Sequence, residues 1–297
     1  MIKYPLVSIL MTAYNREKYI AEAIESVLAS SYTNFELIIV DDCSEDTTVE
    51  IANAYAKTDN RIKVYLNVKN LGDYPNRNRA ASFALGKYLK YLDSDDIIYP
   101  WGLSAMVYCM EQFPDAGYGL ISNVVKLNKK YPKLMAPDQA YYAFYFEGSI
   151  LSMGPSGAII NRAVFEKELG FSGKPYVGDT ELWLKLSKTY SMVQIPSDLI
   201  WWREHENQQI RNEFANKNFE FNRYVVELNA LQDQLCPFND FYKEKALRNF
   251  KNRHTRNLGI LLLKGKLFKF FNSYSTFKLK PLDFFKGLFF NTYPPPL

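Results

Sequence analysis

Short apolar runs and amphipathic stretches alternate along the first hundred residues. Leu6–Met11 is a β-prone apolar run, broken by Thr12, Ala13, Tyr14 and Asn15. From Arg16 to Ala29 the side chains of Tyr19, Ile20, Ala23, Ile24, Val27 and Leu28 recur at helical spacing. Phe35–Val40 predicts a second strand, Asp46–Lys57 a second helix and Arg61–Asn67 a third strand. A polar loop over Asn70–Asn76 then leads into a predicted helix, Arg77–Ala84. Lys87–Leu92 predicts a fourth strand that runs into Asp93, Ser94, Asp95 and Asp96. The order β-α-β-α-β-α-β places the chain in the α/β class, with a mostly parallel central sheet flanked by helices. The polar breaks fall at the carboxyl ends of the strands, the edge where open α/β sheets bind ligands.

Beyond Pro100 the pattern is mixed. It predicts a helix over Trp101–Phe113 and a strand over Gly117–Asn128. A Gly-Pro-Ser-Gly loop (Gly154 to Gly157) precedes an apolar strand ending at Ile160. Thr180–Tyr190 predicts a helix, Met192–Arg203 contains another strand, and the chain is largely helical from Asn207 onward. The simplest division is one domain over residues 1–205 and a helical extension over 206–297.

Composition changes this picture little. Of the 297 residues 47% are hydrophobic and 23% charged, as in ordinary globular proteins. Aromatics reach 16%, and such rings serve cores as readily as sugar-stacking surfaces. The net charge of +4 belongs to the tail, because from Lys243 to Lys286 the only acids are Glu244 and Asp283. Cys43, Cys109 and Cys236 are scattered and odd in number, which argues against a disulfide scaffold or cysteine zinc site and fits the cytoplasm. No signal peptide and no spanning helix is expected.

The sharpest candidate chemistry is the acidic run. Three carboxylates within four residues repel one another unless a cation or hydrogen-bond donors offset them. A hard divalent cation, Mg²⁺ or Mn²⁺, is the natural partner beside a cleft. A solvated acidic turn capping the next helix is the plainer alternative. Asp42 could accept hydrogen bonds from a nucleobase or ribose, or cap the helix near Asp46. Arg77 could fork onto a diphosphate, or lie on a solvated helix face. Asp179, just before a predicted helix, could serve as a general base or as an N-cap. His205 is one of two histidines.

Taken in order, these segments resemble family 2 glycosyltransferases, the inverting class with the Rossmann-like GT-A fold. Such enzymes carry a Thr/Ser-x-Tyr-Asn turn, here Thr12–Asn15, and a Val-Asp-Asp-x-Ser segment, here Val40–Ser44. An Asn-x-Gly-x-x-x-Ala-Arg-Asn stretch follows, here Asn70–Asn78 with Asn76 in place of Ala. Asp93-Ser94-Asp95 matches their Asp-x-Asp cluster, Gly154–Gly157 a Gly-rich acceptor loop, and Gly178-Asp179 their acidic pair, with its first Glu missing. The resemblance implies that Thr12, Ala13, Tyr14, Asn15, Asp42, Arg77, Asp93, Ser94 and Arg203 hold the nucleotide sugar. It implies that Asp95, with His205, holds Mn²⁺ or Mg²⁺ and that Asp179 is the catalytic base. Asp96 is expected to cap the next helix. The processive Gln-x-x-Arg-Trp signature is absent, so transfer of one sugar at a time is expected.

The implied donor is a UDP-sugar, and the implied acceptor a glycan or lipid-linked sugar in bacterial surface polysaccharide assembly. A nucleotide-sugar binding module without turnover is the alternative, supported only by the missing Glu at Gly178. A dinucleotide-binding Rossmann enzyme needs a Gly-x-Gly-x-x-Gly turn after the first strand, and Met11–Arg16 contains no glycine. Basic aromatic segments over Leu258–Phe271 and Phe284–Phe290 suit either peripheral contact with an anionic membrane or a solvated helical face. No nucleic acid is expected as a partner.

Overall fold

The computed structural model describes residues 4–122, 130–148, 150–205, 217–267, 270, 271 and 274. Its first half is the predicted alternation: β1 (Val7–Ala13), α1 (Ile20–Leu28), β2 (Phe35–Asp41), α2 (Thr48–Thr58), β3 (Ile62–Leu66), α3 (Asp73–Ser82) and β4 (Tyr88–Tyr91). A two-residue β5 (Ile97–Ile98) leads to α4 (Gly102–Glu111), β6 (Tyr118–Ile121) and β7 (Lys133–Met135). Then come α5 (Pro137–Tyr142), a π-helical turn over Ala143–Glu147, β8 (Ala158–Asn161), α6 (Arg162–Lys167) and α7 (Gly178–Leu186). The chain continues through β9 (Met192–Ile195), β10 (Ile200–Trp201), α8 (Lys217–Gln232) and α9 (Asp240–Leu263).

Eight strands form the main sheet in the order β3-β2-β1-β4-β8-β6-β9-β7. The neighbours β3, β2, β1 and β4 run parallel, as do β6 and β9, while β8 and β7 run against them. Strand β2 is buried along its whole length, as expected where helices cover both faces of a parallel sheet. Thr12 pairs with Val40, and Leu10 with Tyr91, so β1, β2 and β4 end along one edge.

Many of the aromatic residues pack in the core, while others, Tyr14 and Trp202 among them, are exposed. Tyr91, Phe165, Phe171, Trp183, Tyr118 and Tyr74 pack against one another by tilted, edge-on and stacked contacts behind that edge. Such rings combine large buried area with fixed geometry, so they make a rigid floor for a site.

Three boundaries differ from expectation for physical reasons. Helix α3 starts at Asp73, four residues before the predicted Arg77. Pro75 suggested a loop, but it lies in the first turn, where helical N–H groups have no partner to lose. Met192–Arg203, expected to contain one strand, holds two, β9 and β10, because Pro196-Ser197-Asp198 turns the chain with Asp198 at φ 63°. The strand expected over Gly117–Asn128 is observed only as Tyr118–Ile121, and residues 123–129 lie outside the described set, as does Phe284–Phe290. No helix among the described residues is long and apolar enough to cross a membrane.

Candidate active site

A cavity of about 1090 Å³ opens at the carboxyl edge of β1, β2 and β4. Of the residues predicted from sequence, Thr12, Ala13, Tyr14, Asp42, Arg77, Asp93, Ser94, Asp95, Asp179 and Arg203 line it. Asn15 is not among the lining residues. Its backbone N–H donates to Ser44 Oγ (2.8 Å) and its Oδ1 accepts from the Glu45 N–H (2.9 Å), so it ties the loop after β1 to the loop after β2. His205 is not among the lining residues either, but its Nε2 lies 3.0 Å from Asp95 Oδ2.

The loop after β3 is built around Asp42. The Asp42 carboxylate accepts from the Leu71 and Gly72 N–H groups (2.8 and 2.9 Å) and from Asn67 Nδ2 (2.6 Å). Gly72 takes φ 84°, a conformation that disfavours any side chain. Asn76, which departs from the family pattern, is buried and satisfied: Nδ2 donates to the Val40 carbonyl (3.1 Å) and Oδ1 accepts from Asn67 (2.9 Å). The N-cap residue of α2 is Thr47, and Asp46 before it accepts from the Thr48 N–H (3.0 Å) through Oδ1, so Asp42 takes no part in the start of that helix.

The Arg77 guanidinium, 6% exposed, bridges two carboxylates: Nε donates to Asp73 (2.7 Å) and Nη1 to Asp93 (2.7 Å). Burial pushes the Asp93 carboxyl up, but Arg77, Ser156 and Lys90 outweigh it and hold Asp93 below the usual carboxylate range. Beneath them lies Lys90, fully buried, whose Nζ donates to the Tyr91 and Ser156 carbonyls. Burial brings this lysine down to about 7, against the pull of Asp93 and Asp96. The Asp93 N–H in turn donates to Ser156 Oγ (3.0 Å), so the Gly154–Gly157 loop is fastened to the acidic run.

Asp96 does not cap a helix. Its side chain is buried and accepts from the Arg203 N–H (3.3 Å), while α4 begins six residues later at Gly102. Burial, then the nearby Asp93 charge, raises it to about 7.

Asp95 Oδ2 meets Arg16 Nε (3.1 Å) and His205 Nε2 (3.0 Å). His205 stacks on Tyr19 at 4.7 Å, and its buried Nδ1 has no hydrogen-bond partner among the described residues. Ligand atoms of Asp93, Asp95 and Asp96 lie within 4.8 Å of one another. Hard carboxylates of this kind suit Mn²⁺ or Mg²⁺, and His205, hydrogen-bonded to Asp95, stands next to that cluster.

Asp179 sits in the first turn of α7, and its Oδ1 accepts from the Thr180 N–H (2.6 Å). Burial raises its carboxyl to about 6, opposed by that hydrogen bond. Gly178 has a packing reason: a Cβ there would lie 2.7 Å from the Tyr74 ring, which fills the space a side chain would need.

Several lining residues went unrecognised in the sequence. Arg16 directly follows the first turn. Tyr74 is buried against Gly178. Phe219 and Arg223 reach the cavity from α8, in the extension. Lys90, buried and not itself lining the cavity, was also passed over, although a lysine inside an otherwise apolar strand is a signal.

Residues 8–169, more than half the chain, match the profile of Glycosyl transferase family 2. The chain belongs to that family. An uncharacterized glycosyltransferase of Haemophilus influenzae is 28% identical over 221 residues, 69% of this chain and 67% of the relative. The putative teichuronic acid biosynthesis glycosyltransferase TuaG of Bacillus subtilis is 46% identical over 92 residues, 31% of this chain and 36% of TuaG. Staphylococcus aureus TarS 1–349 in complex with UDP-GlcNAc superposes with TM-score 0.70 at 21% identity, covering 91% of this chain and 80% of that one. The mannosyltransferase PcManGT of Pyrobaculum calidifontis, in complex with GDP-Man and Mn²⁺, gives 0.62 at 14% identity, covering 96% and 86%. These likenesses establish the GT-A fold for this chain.

Proposed function

We propose that this protein is an inverting, non-processive glycosyltransferase that moves one sugar from a nucleotide-diphosphate donor, a UDP-sugar, to an acceptor hydroxyl. The observation that carries the reading is one cavity holding both an acidic cluster braced by Arg77, Arg16 and Lys90 and a separate carboxylate, Asp179, raised to about 6. The first arrangement suits a diphosphate and its cation. The second suits proton abstraction, because a base works best with a pKa near the working pH.

In this scheme Thr12, Ala13, Tyr14 and Asp42 hold the nucleoside, with Asn15 fixing their loop. Asp93, Ser94, Arg77 and Arg203 orient the diphosphate and sugar. Asp179 takes the proton from the acceptor hydroxyl as that oxygen attacks the anomeric carbon from the face opposite the leaving diphosphate. Asp95 and His205 would hold Mn²⁺ or Mg²⁺, which supplies positive charge against the leaving diphosphate. The TarS complex with UDP-GlcNAc supports a uridine donor, and the Mn²⁺ in the PcManGT complex supports the metal.

TuaG is described as a teichuronic acid biosynthesis glycosyltransferase, which supports a place for this chain in bacterial surface polysaccharide assembly with a glycan or lipid-linked acceptor. Exposed Leu263, Leu267 and Phe271 beside exposed Lys264 and Lys266 support a peripheral contact of the extension with an anionic membrane at its cytoplasmic face. Full-length protein should then sediment with anionic liposomes at low salt.

The test is Mn²⁺-dependent turnover of UDP-sugars, with the product's anomeric configuration read by NMR. Inversion supports the scheme, and a product with the donor's configuration refutes it. Donor binding without hydrolysis or transfer would favour the binding-module reading instead.

A further inference from the structure

The arginines of the cavity are engaged differently. Arg16 is held by Asp95, and Arg77 by Asp73 and Asp93. Arg203 turns its guanidinium to Glu22 and the Asp95 carbonyl. Arg223, on α8, is fixed from one side only. Its Nε donates to Glu227 Oε1 (2.8 Å), and its two terminal amino groups have no partner among the described residues.

The anchor of Arg223 is itself tightly held. Glu227 is fully buried, Arg253 from α9 donates to its Oε2, and the Tyr145 hydroxyl donates to its backbone carbonyl (2.8 Å). Two guanidinium groups on one carboxylate leave an excess positive charge, and Arg223 carries it into the cavity. Helix α8 packs against α7, which carries Asp179, and Arg223 lines the same cavity as Asp179. The Arg77 charge and then the Arg223 charge act on Asp179, which places Arg223 on the side of the proposed base. Phe219, one helical turn earlier, lines the same cavity. A guanidinium pinned through Nε presents its remaining N–H groups as a preset fork, the geometry that matches a phosphate or carboxylate.

We propose that Arg223 recognises an anionic group on the acceptor, a phosphate ester or a carboxylate, and so seats the attacking hydroxyl beside Asp179. This rests on the reading of Asp179 as the base and of the acidic cluster as the donor side. It makes the extension part of acceptor selection, and it restricts acceptors to charged glycans or polyol phosphates.

The experiment uses full-length protein loaded with UDP and Mn²⁺, titrated by NMR with sn-glycerol 3-phosphate, with glucuronate and with uncharged glucose. One anion should bind about tenfold or more tightly than glucose, as expected for a charge-assisted contact. Which anion binds tells a phosphate acceptor from a uronic one. Arg223→Gln should abolish the preference while UDP affinity stays within about twofold of wild type. Glucose binding as well as both anions, or an unchanged preference in Arg223→Gln, would overturn the proposal. Equal weakening of UDP and anion in that variant would overturn it too, making Arg223 a donor residue. Should the variant not fold, the wild type still decides: the anion preference must shrink as NaCl is raised, and a salt-independent preference contradicts the role. Failure of the wild type to bind UDP at all would remove the donor reading, and this inference with it.

Discussion

Adding one methyl group at Gly178 is a direct way to ask why this chain lacks the acidic residue its family carries there. A Cβ at 178 would sit 2.7 Å from Tyr74 Cδ2 and Cε2 and 2.8 Å from Cζ. Carbon atoms prefer about 3.5–4.0 Å, so the ring would have to withdraw by nearly 1 Å. It has little room, being 5% exposed and packed on Phe171 at 5.1 Å. Overpacking of this kind costs about 1–3 kcal/mol. Removing the ring reverses the sign, since alanine is favoured over glycine in a helix by about 0.5–1 kcal/mol. Gly178→Ala should therefore destabilise the wild type but be neutral or stabilising in Tyr74→Ala, a coupling of at least about 1 kcal/mol. Urea unfolding of the four proteins measures this cycle. A coupling below about 0.5 kcal/mol would refute the packing explanation and return weight to a site that has lost its chemistry.

Asp179→Asn should lower turnover by about 10²–10⁴-fold while leaving UDP affinity within about twofold, checked by steady-state kinetics and calorimetry. The wild-type rate should climb as pH rises through about 6, where Asp179 loses its proton, and level off above about 7. The same shift has a stability consequence: the folded carboxyl titrates above its ordinary value, so stability present below about 4 is lost as pH rises through about 6. Asp179→Asn escapes that loss and should melt above the wild type at pH 7.5, with the gap closing toward pH 5. Arg77→Met removes the buried partner shared by the half-buried carboxylates of Asp73 and Asp93 and should cost about 1.5–3 kcal/mol in urea unfolding.

The succession of strands and helices from β1 to β4 was legible because the strands are apolar runs closed by polar residues. The same rule put Thr12, Asp42, Asp93 and Asp95 at one edge, since parallel strands in register end together. Features set by distant contacts were not legible. Nothing local tells that Asp96 turns inward to the Arg203 N–H, or that the Tyr74 ring excludes a side chain at 178. Arg223 reads as one more helix arginine until the fold brings α8 over the cavity and Glu227 holds it there. Lys90 was the exception. A lysine within Tyr88–Leu92 breaks an apolar run, and only a buried partner set of carbonyls and carboxylates explains it.

The central claim is that the Asp95 edge of this cavity binds a nucleotide sugar together with a divalent cation. A thermal-shift series of nucleotide sugars with and without Mn²⁺ tests it most directly, because a ligand that binds the folded state raises its Tm. A UDP-sugar should raise the Tm of the wild type with Mn²⁺ and do so only weakly in EDTA, while Asp95→Ala should respond only weakly under both conditions. An Asp95→Ala protein that responds to donor and Mn²⁺ as the wild type does would contradict the account.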